Sequence, residues 1–248
     1  MRIVAIIPSR YGSSRFDGKP LARIAGMPMI QRVAENASRA ENVDAVVVAT
    51  DDRRIAAAVT GFGGQVVMTS TENRSGTDRV GEAADILGLD DTDVVINIQG
   101  DQPLIDPRCL DALIAPLINE AGKVHMATLA YRIVRECEVT DPKDVKVVFD
   151  NDNNALYFSR APIPWSRDGG RDHDTFKHLG VYAYTVAFLK EFRGMPSGRL
   201  ETIEKLEQLR VLEYGRDIRI VVTPYDSPEV DLPEDIQRIE QLLFQVTG

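Results

Sequence analysis

Cysteine is scarce in this chain: Cys109 and Cys137 are the only two in 248 residues, and they are too far apart for metal-ligand spacing. That count excludes a disulfide framework and a cysteine-rich zinc module. It suits a reducing compartment, with both thiols expected as buried structural groups. Long hydrophobic runs are missing too. No stretch reaches the roughly eighteen apolar residues of a membrane-spanning helix, so none is expected. Met1-Arg2 leads straight into a short apolar run rather than a signal peptide, which makes the cytoplasm the expected address. Positive charge is in deficit, with 29 Lys and Arg against 38 Asp and Glu and a formal net charge of -9. Such a balance argues against nucleic acid as the main partner. Internal repeats, low-complexity tracts and a recognisable linker are also absent, so a single domain over 1–248 is expected.

Against that acidic background one stretch is basic. Pro8-Ser9-Arg10-Tyr11-Gly12-Ser13-Ser14-Arg15-Phe16-Asp17-Gly18-Lys19-Pro20-Leu21 follows the apolar run Ile3-Val4-Ala5-Ile6-Ile7, which reads as the first strand of a buried sheet. Its glycines let backbone N–H groups approach an anion, and Ser9, Ser13 and Ser14 add small hydroxyls. Arg10, Arg15 and Lys19 supply charge for several phosphate oxygens at once. In open α/β sheets, ligands bind at the carboxyl ends of the strands. The stretch therefore reads as a triphosphate cradle. It is neither a Walker A loop nor a dinucleotide fingerprint. Five residues separate Gly12 from Gly18, Pro20 replaces the hydroxyl residue after the lysine, and G-x-G-x-x-G is absent.

Strand and helix patterns then alternate four times. The strands are expected at Val43–Thr50, Gln65–Met68 and Val94–Ile98 after the first, and the helices begin at Met29, after Asp51-Asp52 and near Thr77. Near-continuous apolar strands separated by helices indicate a parallel sheet. The second half changes character. Strands are expected at Met126–Tyr131, Val145–Phe149, Ala155–Phe158, His178–Tyr184 and Ile218–Thr223, with a hairpin turn over Asp150–Asn154. Helices are expected at 200–214 and 233–246. The fold class is thus α/β, a mixed sheet with a parallel N-terminal half and antiparallel C-terminal additions.

Asp101, in Gln99-Gly100-Asp101, ends a strand and points towards the same crevice as the basic loop. Magnesium on a nucleotide is held by one or two carboxylates plus phosphate oxygens and water, and Asp101 fits that role. A helix cap is the plainer alternative, but Asp106, just before Pro107, is better placed for it. Ser75-Gly76-Thr77-Asp78-Arg79 opens a helix, and taken alone its hydroxyls are caps. Asp231, in Glu229-Val230-Asp231-Leu232-Pro233, reads from the sequence as the cap of the last helix. On helical spacing Glu207 and Arg210 share a face beside Ile203 and Tyr214, as an ion pair or as part of a polar pocket. His178 sits in an otherwise apolar strand, where a satisfied core histidine is the usual outcome, and Arg160 is equally open to a structural role.

Taken together, these strings resemble the 3-deoxy-manno-octulosonate (Kdo) cytidylyltransferases over nearly the whole chain. The matching strings are Ile7-Pro8-Ser9-Arg10-Tyr11, Gly18-Lys19-Pro20-Leu21, Ser75-Gly76-Thr77-Asp78-Arg79 and Gln99-Gly100-Asp101. Further along they are Ala155-Leu156-Tyr157-Phe158-Ser159-Arg160, Ile163-Pro164-Trp165, His178-Leu179-Gly180-Val181-Tyr182, Leu206-Glu207-Gln208-Leu209-Arg210 and Val230-Asp231. The resemblance implies a nucleotide-diphospho-sugar transferase-like fold, usually a homodimer. The implied reaction joins CTP to Kdo, giving CMP-Kdo and pyrophosphate for lipopolysaccharide synthesis. It further implies that Arg10 and Lys19 grip the phosphates, with Arg15 a further candidate. Pro8, Ser75, Gly76, Gln99 and Arg79 would border the nucleotide, and Asp101 and Asp231 would hold Mg2+. Arg160, His178, Tyr182, Glu207 and Gln208 would line the sugar-acid pocket. Asp17 and Leu232 depart from the family's usual residues, and Gly180-Val181-Tyr182-Ala183-Tyr184 looks at least as much like the branch that uses 8-amino-Kdo.

Overall fold

In the computed structural model the described residues are 1–12, 15–169 and 173–246, so the Ser13 and Ser14 hydroxyls of the basic loop lie outside them. Contacts divide the chain into two compact units. The first gathers Met1–Asp111, Thr185–Ala187 and the segment from Ser227 onward; the second comprises Ala112–Tyr184 and Phe188–Asp226.

The first unit contains β1 (Ile3–Ser9), a 3-10 turn (Lys19–Leu21), the short strands β2 (Arg23–Ile24) and β3 (Met27–Pro28), α1 (Met29–Ala37), β4 (Ala45–Thr50), α2 (Arg53–Gly61), β5 (Gln65–Met68), α3 (Gly76–Ile86) and β6 (Val94–Asn97). Four strands stand in the order β6-β1-β4-β5, and β1 is parallel to both neighbours, from Ile3 opposite Val94 to Ser9 opposite Thr50. A strand covered on both faces has no position for polar side chains, and Ile3 to Ile7 are all buried. The expected helix starts hold closely. Asp52 caps α2 by accepting the Arg54 N–H, and Ser75 caps α3 by accepting the Asp78 N–H at 3.1 Å.

The chain passes between units within α4 (Pro107–Asn119), where Asp106 accepts the Arg108 N–H as expected. The second unit holds β7 (Met126–Arg132), α5 (Glu136–Thr140), β8 (Lys146–Phe149), β9 (Ala155–Ser159), β10 (Phe176–Thr185), α6 (Val186–Gly194), α7 (Arg199–Glu204), α8 (Leu209–Glu213) and β11 (Arg219–Thr223). β10 runs antiparallel to β7 and β8, and β8 to β9 across the expected turn, whose Asp150 carboxylate accepts the N–H of Asp152 and Asn154. β11 lies parallel to β7, so the second half is not purely antiparallel. The chain closes with α9 (Asp235–Val246), back in the first unit.

Two expectations fail. Residues 200–214 form two helices rather than one, broken at Lys205, whose φ of 56° and ψ of 47° are left-handed. Ile203 and Tyr214 are exposed, so the segment is less buried than its composition indicates. No glycine or proline marks the break; tertiary bonds made by Glu204, described below, oppose helical continuation. Cys109 is buried as expected but Cys137 is exposed, since it lies in the one-and-a-half-turn α5. No helix among the described residues is long and apolar enough to cross a membrane.

Candidate functional site

Within the first unit, the carboxyl ends of β1 and β6, the basic loop and the N-terminus of α3 enclose a cavity of about 290 Å3. Pro8, Arg10, Arg15, Lys19, Ser75, Gly76, Arg79, Gln99 and Asp101 all line it, so nearly every nucleotide-side residue of the sequence reading converges there. The parallel register explains this: β1 and β6 end side by side, and the loops that follow them emerge on one edge.

Lys19 is the centre of its charge distribution. The ammonium lies 2.6 Å from Asp101 Oδ2 and 3.9 Å from Asp231 Oδ1, and donates to the Val230 carbonyl at 3.0 Å. Arg15 reaches Asp231 Oδ1 at 3.1 Å. Asp231 is brought there by its neighbours: Val230 is fully buried with Ile24, Met29 and Ile239, and its N–H donates to the Asp101 carbonyl at 2.9 Å. Among the described residues no hydrogen bond from α9 to the Asp231 carboxylate accompanies the cap expected of it; instead Asp235, the first residue of that helix, reaches back, its Oδ2 accepting the N–H groups of Asp231 and Leu232, both at 2.9 Å. The Asp231 carboxylate joins Asp101 on the same cation.

Arg79 lines the cavity with its guanidinium already engaged, 2.9 Å from Asp51 Oδ2 and 2.6 Å from Thr69 Oγ1. Arg10 is exposed, and so is Asp17, which stays out of the cavity lining. Ser9, one of the hydroxyls expected in the cradle, lines the cavity, its oxygen buried with no hydrogen-bond partner among the described residues. The sequence reading missed Asn73 and Arg74, which also line it, from a loop whose sequence carries no such signal. Glu229 adds a third carboxylate near Asp101 and Asp231. Desolvation by the surrounding protein and then those like charges raise its pKa, offset in part by the Gln102 amide and Lys19.

In the second unit the proposed sugar-side residues are arranged by a bulge. His178 pairs with Ala130 and Tyr182 with Thr128, so four residues of β10 span two of β7. Gly180, at φ 68°, supplies the left-handed step that this requires. Residues four apart in a regular strand stand about 13 Å apart, yet here the His178 and Tyr182 ring centroids are 5.3 Å apart. Thr128 Oγ1 donates to the Val181 carbonyl at 2.7 Å and must therefore accept from His178 Nε2 at 2.9 Å. That assignment leaves Nδ1 facing the Gln208 amide at 3.5 Å. Burial lowers the imidazole pKa to about 3, so His178 is neutral. It is a satisfied, oriented group.

Glu207 lies 3.6 Å from Arg210, as the spacing anticipated, but the closer partner of Arg210 is Glu201, with a bidentate pair at 2.8 and 2.5 Å. Arg160 is held by Glu204 and Pro142, its Nε donating to the Glu204 carbonyl and one terminal nitrogen to the Pro142 carbonyl, each at 2.8 Å.

Comparison with known proteins agrees with this arrangement. A family profile described as Cytidylyltransferase matches residues 4–218. A 3-deoxy-manno-octulosonate cytidylyltransferase of Desulfatibacillum aliphaticivorans is 65% identical over 98% of this chain and 99% of its own. An 8-amino-3,8-dideoxy-manno-octulosonate cytidylyltransferase of Shewanella frigidimarina (strain NCIMB 400) is 57% identical over 97% of this chain and 98% of its own. Among solved structures, a CMP:2-keto-3-deoxy-manno-octonic acid synthetase complexed with CTP superposes with a TM-score of 0.92 at 40% identity, covering 99% of this chain and 100% of that one. With its strand-end cavity and a match over most of its length, the chain belongs to the cytidylyltransferase family.

Proposed function

We propose that this protein transfers the cytidylyl group of CTP to Kdo, releasing pyrophosphate and forming CMP-Kdo for lipopolysaccharide synthesis in the cytoplasm, with 1–248 acting as one catalytic domain. The observation that carries the reading is the pair of carboxylates, Asp101 and Asp231, sharing the Lys19 ammonium, with Lys19, Asp101, Arg10 and Arg15 lining the cavity. Two carboxylates with water and phosphate oxygens are what Mg2+ uses on a nucleotide, so this donor set fits that ion. Bound there, Mg2+ would offset phosphate charge at the reacting phosphorus.

The chain's own groups do the rest. Lys19, Arg10 and Arg15 neutralise the triphosphate, and the N-terminus of α3 at Ser75 and Gly76 borders the nucleotide. The sugar's anomeric hydroxyl oxygen bonds to the α-phosphorus, its proton passing to solvent, as the bond to pyrophosphate breaks and the leaving oxygen takes the electron pair. Arg160 meets the sugar carboxylate, and His178, Tyr182, Glu207 and Gln208 define its hydroxyl-bearing side. His178 is already committed to Thr128 and Gln208 and serves as an orienting wall; catalysis rests on positioning and charge stabilisation. The proposed assembly is a homodimer, and the exposed apolar side chains of Leu156, Trp165 and Ile203 in the second unit are available to it.

Pyrophosphate release from CTP and Mg2+ tests the reading, with Kdo and 8-amino-Kdo compared at equal concentration. Faster release with Kdo is expected. The 57% identity to an enzyme named for the 8-amino sugar favours that compound as the second reading, and faster release with it would move the assignment there. Release with neither would overturn both.

A further inference from the structure

The bonds around Glu204 are unusual in number for the last residue of a six-residue helix. Its carboxylate accepts the Ser159 hydroxyl at 2.7 Å through one oxygen and the Arg160 backbone N–H at 3.0 Å through the other. Ser159 Oγ in turn accepts the Ala161 N–H at 3.0 Å. Helix termini leave carbonyls without intrahelical partners, and the Glu204 carbonyl takes the Arg160 Nε–H at 2.8 Å. The left-handed Lys205 turns the chain away immediately afterwards. A single residue thus fixes both the backbone and the guanidinium of Arg160, with Ser159 extending the clamp to Ala161.

We propose that Glu204 is a positioning residue for sugar-acid recognition: it orients Arg160 so that the guanidinium meets a carboxylate ligand with its outer N–H groups. A guanidinium carries five N–H donors in a planar fork. Two are directed at the Glu204 and Pro142 carbonyls, which sets the plane and aims the remaining edge. Because the Glu204 carboxylate is turned to backbone and hydroxyl donors, the charge of Arg160 is kept for the ligand. An arginine aimed in advance loses less freedom on forming a bidentate carboxylate pair. The inference rests on the reading of Arg160 as the group that binds the sugar acid.

A double-mutant cycle tests it, using Glu204→Ala, Arg160→Ala and the pair, with kcat and both KM values measured for CTP and Kdo. We expect Glu204→Ala to raise the KM for Kdo about tenfold, leave the KM for CTP within about twofold, and add almost nothing in the Arg160→Ala background. Glu204→Gln keeps an oxygen for Ser159 and is expected to recover part of the loss. If Glu204→Ala does not fold, Glu204→Gln carries the same cycle. Equal effects with and without Arg160, or matching losses for both substrates, would overturn the positioning role while leaving the sugar-site reading intact. An unchanged KM for Kdo in Arg160→Ala would overturn that reading itself, and the proposal with it.

Discussion

Asp235 Oδ2 accepts the backbone N–H of Asp231 at 2.9 Å, and so the residue expected to cap the last helix is itself the one being held. The same oxygen takes the Leu232 N–H. This pair of bonds fixes the turn that points the Asp231 carboxylate at Lys19 and Arg15. Replacing Asp235 by Ala should cost about 1 kcal/mol of stability from the lost bonds to the turn. It should also raise the Mg2+ concentration needed for half-maximal rate severalfold, because the ligand turn loosens. Denaturant melts and a Mg2+ titration of initial rates check both; a melt shift with an unchanged titration would separate the turn's stability from the site.

Asp101→Asn keeps the shape of the strand end and removes one charge from the pair that Lys19 bridges. We expect kcat to fall by about two to three orders of magnitude while the circular dichroism spectrum stays unchanged. Turnover near normal would remove Asp101 from the metal-binding assignment.

His178 makes stability depend on pH in a defined window. Its folded pKa of about 3 lies below the unfolded 6.5, so between those values the unfolded chain binds a proton that the native one refuses. The contribution is fully present above pH 6.5 and is lost progressively as the pH falls towards 3, up to a few kcal/mol. His178→Gln should flatten that part of the curve. Urea midpoints at pH 7, 5 and 4 for both proteins provide the check, and parallel curves would show that the imidazole titrates normally.

Gly100 leaves room for Ser9. A Cβ at Gly100 would stand 3.0 Å from Ser9 Oγ and 3.4 Å from the Pro8 carbonyl oxygen. Gly100→Ala is expected to destabilise by about 1–2 kcal/mol and to weaken CTP binding. Adding Ser9→Ala should recover much of the stability. Thermal melts of the three variants, with CTP titrations, resolve the two effects; no recovery would place the clash at Pro8 instead.

Much of this molecule was legible before any coordinates. A short, β-branched apolar run such as Ile3–Ile7 reads as a strand covered on both faces, and helix caps such as Asp52 and Ser75 act within a few residues of their own sequence. The residues of the basic loop also converge on one cavity, since parallel strands release their following loops at a common edge. What local sequence leaves open is any choice between partners far apart along the chain. Lys205 carries no helix-breaking signal, yet the helix ends there, where Glu204 bonds to residues 44 and 45 positions earlier. Asp231 reads locally as a helix cap. Burial of Val230 against Ile24 and Met29, with Asp235 holding the Asp231 N–H, places its carboxylate at Lys19 instead. The sequence alone determined the elements and the chemistry gathered at their ends, because propensity and periodicity act locally. Only the tertiary structure decided which carboxylate serves the site and which holds it in place, because that depends on packing across the whole unit.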